Sequence, residues 1–200
     1  GGHAQTIWPL LCKGARPHLQ RERWATPDGD FIDLDWLPHR PGAPLVVLFH
    51  GLEGSSNSPY ARSLMRHLAA IDWNGVVPHF RGCSGEPNLR PRAYHAGDAD
   101  EIEWILARLA ARHPGAPRFA AGVSLGGNAL LRWAQESGEQ AARQLRSIAA
   151  ICAPLDLAAA GDAIGRGLNR RLYTPMFLRT MKPKALAKLA EAPIKALVMA

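Results

Sequence analysis

The chain has 200 residues and a mass of 21.7 kDa, with 47% hydrophobic and 20% charged residues. That apolar fraction fills a core and excludes global disorder, while no apolar run approaches the roughly 18 residues that span a bilayer, and neither heptads nor a fixed-period repeat occur. The formal net charge of +7 is concentrated late in the chain, where Arg166, Arg170, Arg171, Arg179, Lys182, Lys184, Lys188 and Lys195 face the single acid Glu191; such a patch attracts anionic partners through a screened field.

Taken in chain order, residues 22–36 predict an antiparallel hairpin. Pro27-Asp28-Gly29 is a turn, because Pro presets φ and Gly accepts φ > 0. Phe31, Asp33 and Asp35 alternate with Ile32, Leu34 and Trp36 at strand period. Leu45-Val-Val-Leu-Phe49 is a continuous apolar run, expected of a strand buried on both faces. A polar loop from His50 to Ser58 follows, and Pro59 opens a helix to about Ala70 with Leu64 and Leu68 on one face. Gly75–Phe80 reads as the next strand, with Pro78 against it.

Asp98, Asp100, Glu101 and Glu103 place acids at the start of a helix running to about Arg112, where they complement the helix dipole. Ile102, Ile105, Leu106 and Leu109 form its apolar stripe. Arg118–Val123 is a third core strand, Leu125 to about Ser137 a helix, and Ser147–Ala153 a fourth core strand. Alternating strands and helices imply an α/β fold with a parallel sheet covered on both faces. The domain reading is a core over 1–154, a basic helical cap or lid over 155–192, and a next strand or continuing lid over 193–200.

Three cysteines, odd in number and far apart, form no disulfide framework and no Cys-x-x-Cys metal pair. A reducing, cytoplasmic location is expected. No signal peptide is read at the start; the chain opens without Met, so its first residue is not expected to be the native one.

The sharpest chemical signal is Gly122-Val-Ser124-Leu-Gly126 at a strand-to-helix junction. In that context Gly-x-Ser-x-Gly means a nucleophile elbow, a turn so tight that the serine is strained and its hydroxyl stands above the sheet. The Leu125 N–H, in the first helical turn, then faces a developing oxyanion. His50-Gly51-Leu52-Glu53-Gly54 closes the first core strand, and its bend makes the Leu52 N–H the second expected oxyanion donor. His50 is expected to orient this loop, not to act as a base; with Gly51 and Gly126 it belongs to the loop and substrate side of the site. Neither Gly-rich loop carries a phosphate-binding or dinucleotide fingerprint.

These stretches resemble the YheT-like family of esterases and lipases in the α/β-hydrolase superfamily. The resemblance rests on His3-Ala-Gln-Thr-Ile7, His50-Gly-Leu-Glu-Gly-Ser55, Ser58-Pro-Tyr-Ala61, His79-Phe-Arg-Gly-Cys-Ser-Gly-Glu-Pro87, Tyr94-His-Ala-Gly97 and Gly122-Val-Ser-Leu-Gly-Gly-Asn128. It implies an α/β-hydrolase fold and hydrolysis of carboxylic esters with short-chain or lipid-type acyl groups. It also implies Ser124 as nucleophile, Leu52 and Leu125 as oxyanion donors, and no cofactor or metal. The family's triad acid and histidine follow later strands, and the sequence has no histidine after His113. The chain is therefore expected to be a C-terminally truncated piece, inactive alone. Asp156 is the alternative acid, and the Ile148–Cys152 strand is expected to be an apolar sheet edge unless Ala196–Met199 or another chain covers it.

Two other functions stay open: a non-catalytic scaffold binding an acyl or apolar ligand, and transfer of an acyl group to an alcohol or thiol. His50, His79 and His95 with Asp98 could suggest a metal, but their spacing is irregular. Arg81 and Glu86 could pair within their loop. Cys83 reads as a small loop residue, and the six tryptophans as core or interface fillers. The patch at 166–195 is a solvated lid or an anionic membrane contact. In the second case Arg170, Arg171, Arg179, Lys182 and Lys184 would hold headgroups, and Leu172, Met176, Phe177 and Leu178 would form the apolar face. No nucleic-acid module surrounds the patch.

Overall fold

The apolar run Leu45–Phe49 (β3) lies near the middle of a six-stranded sheet, because every one of its side chains is buried. The structure, a computed structural model, describes Trp8 and residues 14–191. The other strands are Gln20–Ala25 (β1), Phe31–Trp36 (β2), Asn74–Pro78 (β4), Arg118–Val123 (β5) and Ser147–Ile151 (β6). Their spatial order is β1-β2-β4-β3-β5-β6. The pairs β1/β2 and β2/β4 are antiparallel, and β4/β3, β3/β5 and β5/β6 are parallel.

Period-two alternation divides the core into two layers. Val46 and Leu48 pack with Val77 against Ala61, Met65 and Leu68 of Pro59–Ala70 (α1). Leu45, Val47 and Phe49 face the other way, into a cluster with Ile102, Ile105, Leu106 and Leu109 of Ala99–Arg112 (α2) and Leu130 and Trp133 of Leu125–Ser137 (α3). Each parallel strand therefore delivers its C-terminal end to one edge of the molecule, with helices on both faces. A short helix, Glu139–Gln144 (α4), precedes β6; Leu157–Ile164 (α5) and Gly167–Glu191 (α6) follow it.

The hairpin forms with the expected turn, Gly29 taking φ 76°. Asp33 and Asp35 are only 1% and 6% exposed, although they lie in an alternating strand. Register explains it: Arg23 faces Asp33 and Arg21 faces Asp35 across the ladder, each as a two-pronged pair at 2.7–2.9 Å. The loop after β4 covers them, with Ser84 O accepting from Arg21. Arg81 does not pair with Glu86. Glu86 reaches Arg23 at 3.0 Å. Arg81 is instead clamped by Asp28, Asp30 and Glu101 at 2.7, 3.0 and 2.6 Å. Glu101 is thus a buried partner of Arg81, not a solvated helix-start acid, and burial pushes its carboxyl above the ordinary range. Trp24 and Trp133 fill the core, while Trp8 is exposed. The strand expected over 75–80 runs over Asn74–Pro78, and that expected to Ala153 ends at Ile151. Residues 192–200 and the motif at His3–Ile7 lie outside the described residues.

Candidate active site

At the C-terminal end of β5 the chain turns sharply into α3. Ser124 sits on that turn with φ 53° and ψ −118°, a conformation that costs a side-chain-bearing residue about 1–3 kcal/mol. The surroundings over-determine it. Ser124 N–H donates to Ile151 O at 2.9 Å, and Ser124 O accepts from Asn128 N–H at 3.1 Å. Asn128 Nδ2 donates to Pro154 O at 2.8 Å, tying α3 to the end of β6.

The flanking glycines are required by close approach. A β-carbon on Gly122 would meet Gly126 O and lie 2.7 Å from Gly127 Cα. One on Gly126 would lie 2.5 Å from the carbonyl oxygens of both Phe49 and His50. The elbow is thereby pressed against the end of β3, where the loop after Phe49 begins. A β-carbon on Gly51 would lie 3.2 Å from Ser124 Cβ, so the His50–Gly54 loop runs directly past the serine. Ser124 is partly exposed, and no described side chain hydrogen-bonds its hydroxyl.

The donors follow from backbone geometry. Leu125 is the first residue of α3, so its N–H has no partner within the helix and carries the positive end of the helix dipole. The Gly51–Leu52 peptide is held from its carbonyl side: Gly51 O accepts from His50 Nδ1 at 2.8 Å and from Gly54 N–H at 2.9 Å. In a trans peptide the N–H points opposite to the C=O, so these bonds turn the Leu52 N–H away from them and leave it without a described acceptor. Gly51 N–H is taken by Tyr60 Oη at 2.9 Å.

His50 is fully buried. Its Nε2 accepts from Phe80 N–H at 3.1 Å, which leaves the proton on Nδ1 for Gly51 O. Burial drives its pKa down to about 3, and His79 and Lys184 add to the effect. A neutral imidazole with both nitrogens occupied orients the loop and cannot take the serine's proton. His79 is alike: Nε2 accepts from Ser56 N–H, Nδ1 meets Asp33 O, and burial lowers its pKa. Neither ring offers a nitrogen to a metal, and among the described residues no cluster of His, Cys, Asp or Glu could hold one. Asp156, the alternative acid, caps α5 by accepting from Ala159 N–H at 2.8 Å.

Ser124, Leu125 and Gly126 at the end of β5 and His50, Gly51 and Leu52 at the end of β3 lie on adjoining strand ends. Sequence reasoning gave no role to Tyr60 and Tyr94, whose hydroxyls hold Gly51 and Glu53; both tyrosines stand in the stretches quoted for the resemblance, which was the available signal. Lys184 departs from its headgroup reading, because it pairs with Glu53 at 2.7 Å. Phe177 is partly buried, not on an outward face. A cavity of about 700 Å³ lined by Trp36, His39, Asn74, Arg112 and His113 lies at the opposite edge of the sheet, where the parallel strands begin, and has no nucleophile.

The alpha/beta hydrolase fold family matches residues 44–182. The YheT protein of Escherichia coli (strain K12), an esterase by name, is 40% identical over 197 residues, covering 96% of this chain and 56% of the relative. Phospholipase ABHD3 of Mus musculus is 30% identical over 173 residues, covering 82% and 42%. The chain thus spans about half the length of these relatives. Among solved structures, the Pyrococcus furiosus esterase Pf2001 aligns with TM-score 0.61 at 18% identity, over 84% of this chain and 63% of that one, a likeness of fold.

Proposed function

Because the chain belongs to the α/β-hydrolase fold family, we propose that it carries the nucleophile and oxyanion half of a serine ester hydrolase. Ser124 Oγ attacks the ester carbonyl as a base takes its proton; the tetrahedral intermediate then breaks the ester C–O bond, the alcohol leaves with that proton, and water hydrolyses the acyl-enzyme to the carboxylic acid and free serine. The Leu52 and Leu125 N–H groups hold the tetrahedral oxyanion; losing one such donor costs about 2.7–4 kcal/mol of barrier. His50 and His79 do not fit the base, and the order Ser, acid, histidine of an elbow hydrolase puts both partners after Ser124, so in this reading the triad acid and histidine lie beyond Ala200 and the 200-residue piece is expected to turn over slowly if at all. The names of the relatives, esterase and phospholipase, support an acyl ester as substrate. The exposed cations of α6 with Leu172, Met176 and Leu178 at 38–45% exposure support an anionic lipid surface nearby.

The observation that carries this reading is the strained, partly exposed Ser124 beside the Leu52 and Leu125 amides, neither of which has an acceptor among the described residues. Labelling of the native protein that carries this chain with a fluorophosphonate is the test. We expect labelling that Ser124→Ala abolishes; an unlabelled wild type, or labelling that survives the substitution, ends the proposal. The second reading, a binding scaffold without turnover, is favoured by the absence of histidine after His113. It predicts acyl-ligand binding without labelling.

A further inference from the structure

The oxyanion loop has an anchor that the reaction above does not use. Glu53, the residue after Leu52, has φ 54°, a left-handed conformation that a β-carbon disfavours. Three contacts hold it there. Its N–H donates to Tyr94 Oη at 2.9 Å, and the Tyr94 hydroxyl donates back to Glu53 Oε1 at 2.8 Å. Lys184 Nζ, 131 residues further along on α6, donates to Glu53 Oε2 at 2.7 Å. The Glu53 side chain is 9% exposed, so the pair is little screened on its acidic side.

The neighbours narrow the assignment. Burial raises the Tyr94 phenol and the Cys83 thiol above their usual ranges. Both therefore keep their protons, and Lys184 Nζ lies 2.7 Å from Glu53 Oε2 against 3.8 Å from Cys83 Sγ. Tyr94 stacks on Phe80 with ring centroids 5.3 Å apart, and Phe80 N–H fixes His50. One turn beyond Lys184, Lys188 donates to Asn88 O and Arg90 O, which seats α6 on the loop after β4 as well.

We propose that Glu53 is a positioning residue that ties the Leu52 donor to α6, so that the oxyanion hole is preorganised only while α6 is seated. This rests on the ester-hydrolase reading of Ser124. Removing Lys184 leaves a nearly buried carboxylate without its cation, which draws Glu53 toward water and off Tyr94. The Leu52 peptide, one residue away, then loses its fixed direction. Neutralising both partners removes that pull and leaves the Tyr94 bonds in place.

The test has two arms. In the 200-residue chain, amide hydrogen exchange at Glu53 and Gly54, whose N–H groups are hydrogen-bonded, is expected to rise about tenfold in Lys184→Met. It should return toward wild type in Lys184→Met/Glu53→Gln, and stay unchanged in Lys182→Met on the same helix. In the native protein, Lys184→Met is expected to lower kcat about tenfold with KM within about twofold, the double variant recovering part of the loss. Unchanged exchange in Lys184→Met overturns the tie to α6. Raised exchange with wild-type kcat overturns the positioning role. Should wild-type Ser124 fail to label, the hydrolase reading falls and the positioning role with it, while the exchange arm still decides the tie.

Discussion

At the scale of single residues, the site is an arrangement of protons as much as of atoms. His50 donates from Nδ1 and accepts at Nε2, and only the neutral ring can do both. Its pKa falls from 6.5 to about 3 in the fold, and that of His79 is lowered too. A base whose folded pKa lies below its unfolded value stabilises fully above the unfolded pKa and loses that contribution as pH falls toward the folded one. Between about pH 6.5 and 3, His50 alone should therefore cost roughly 1.4 kcal/mol of stability per pH unit. Glu101, with its raised pKa, works in the opposite direction and softens the slope. Urea titrations at pH 7, 6 and 5 should show stability falling, and His50→Asn should flatten the dependence; a level profile in the wild type contradicts the buried neutral pair. The tautomer was not legible in the sequence, because the Phe80 N–H that sets it lies 30 positions away.

Between elements, Arg81 is a buried tie outside the site. Its guanidinium, 3% exposed, joins the hairpin turn through Asp28 and Asp30 to α2 through Glu101. Asp30 also accepts from Leu89 N–H, Arg90 N–H and Asn88 Nδ2, so the loop after β4 closes on the same point. Three segments meet at one cation, and two of its carboxylates have almost no access to water. Arg81→Met should cost about 3–5 kcal/mol, the penalty for leaving buried charges unpaired. Chemical denaturation measures it; a loss under about 1 kcal/mol would mean the carboxylates find other partners. The elements themselves were largely readable. α1, β5 and α3 run as expected because Pro59, a bounded apolar run and the elbow glycines mark their ends locally. The three partners of Arg81 were not, since nothing local distinguishes a turn aspartate or a helix-start glutamate that meets a distant cation from a solvated one.

For the whole molecule, sheet order decides what is covered. β2 lies between β1 and β4, so both of its edges are paired; β6 pairs with β5 alone among the described residues. Its side chains are mostly exposed, and Ile151, Leu155 and Leu157 are 47%, 87% and 54% exposed. An unpaired strand edge beside exposed apolar residues invites pairing with another chain. The 200-residue chain should self-associate with rising concentration in sedimentation velocity, and Ala149→Lys, a charge on that edge, should suppress it. A monomer at every concentration would show the edge already covered. By itself the sequence determined the alternation of elements, the elbow at Ser124 and the two candidate oxyanion amides, because periodicity and close-approach glycines are local properties of the chain. Only the tertiary structure decided that His50 stays neutral, that Tyr60 and Tyr94 hold the loop, and that Lys184 reaches Glu53. Those contacts join positions 9 to 131 residues apart, and strand order, which no local pattern encodes, is what brings them within hydrogen-bond reach.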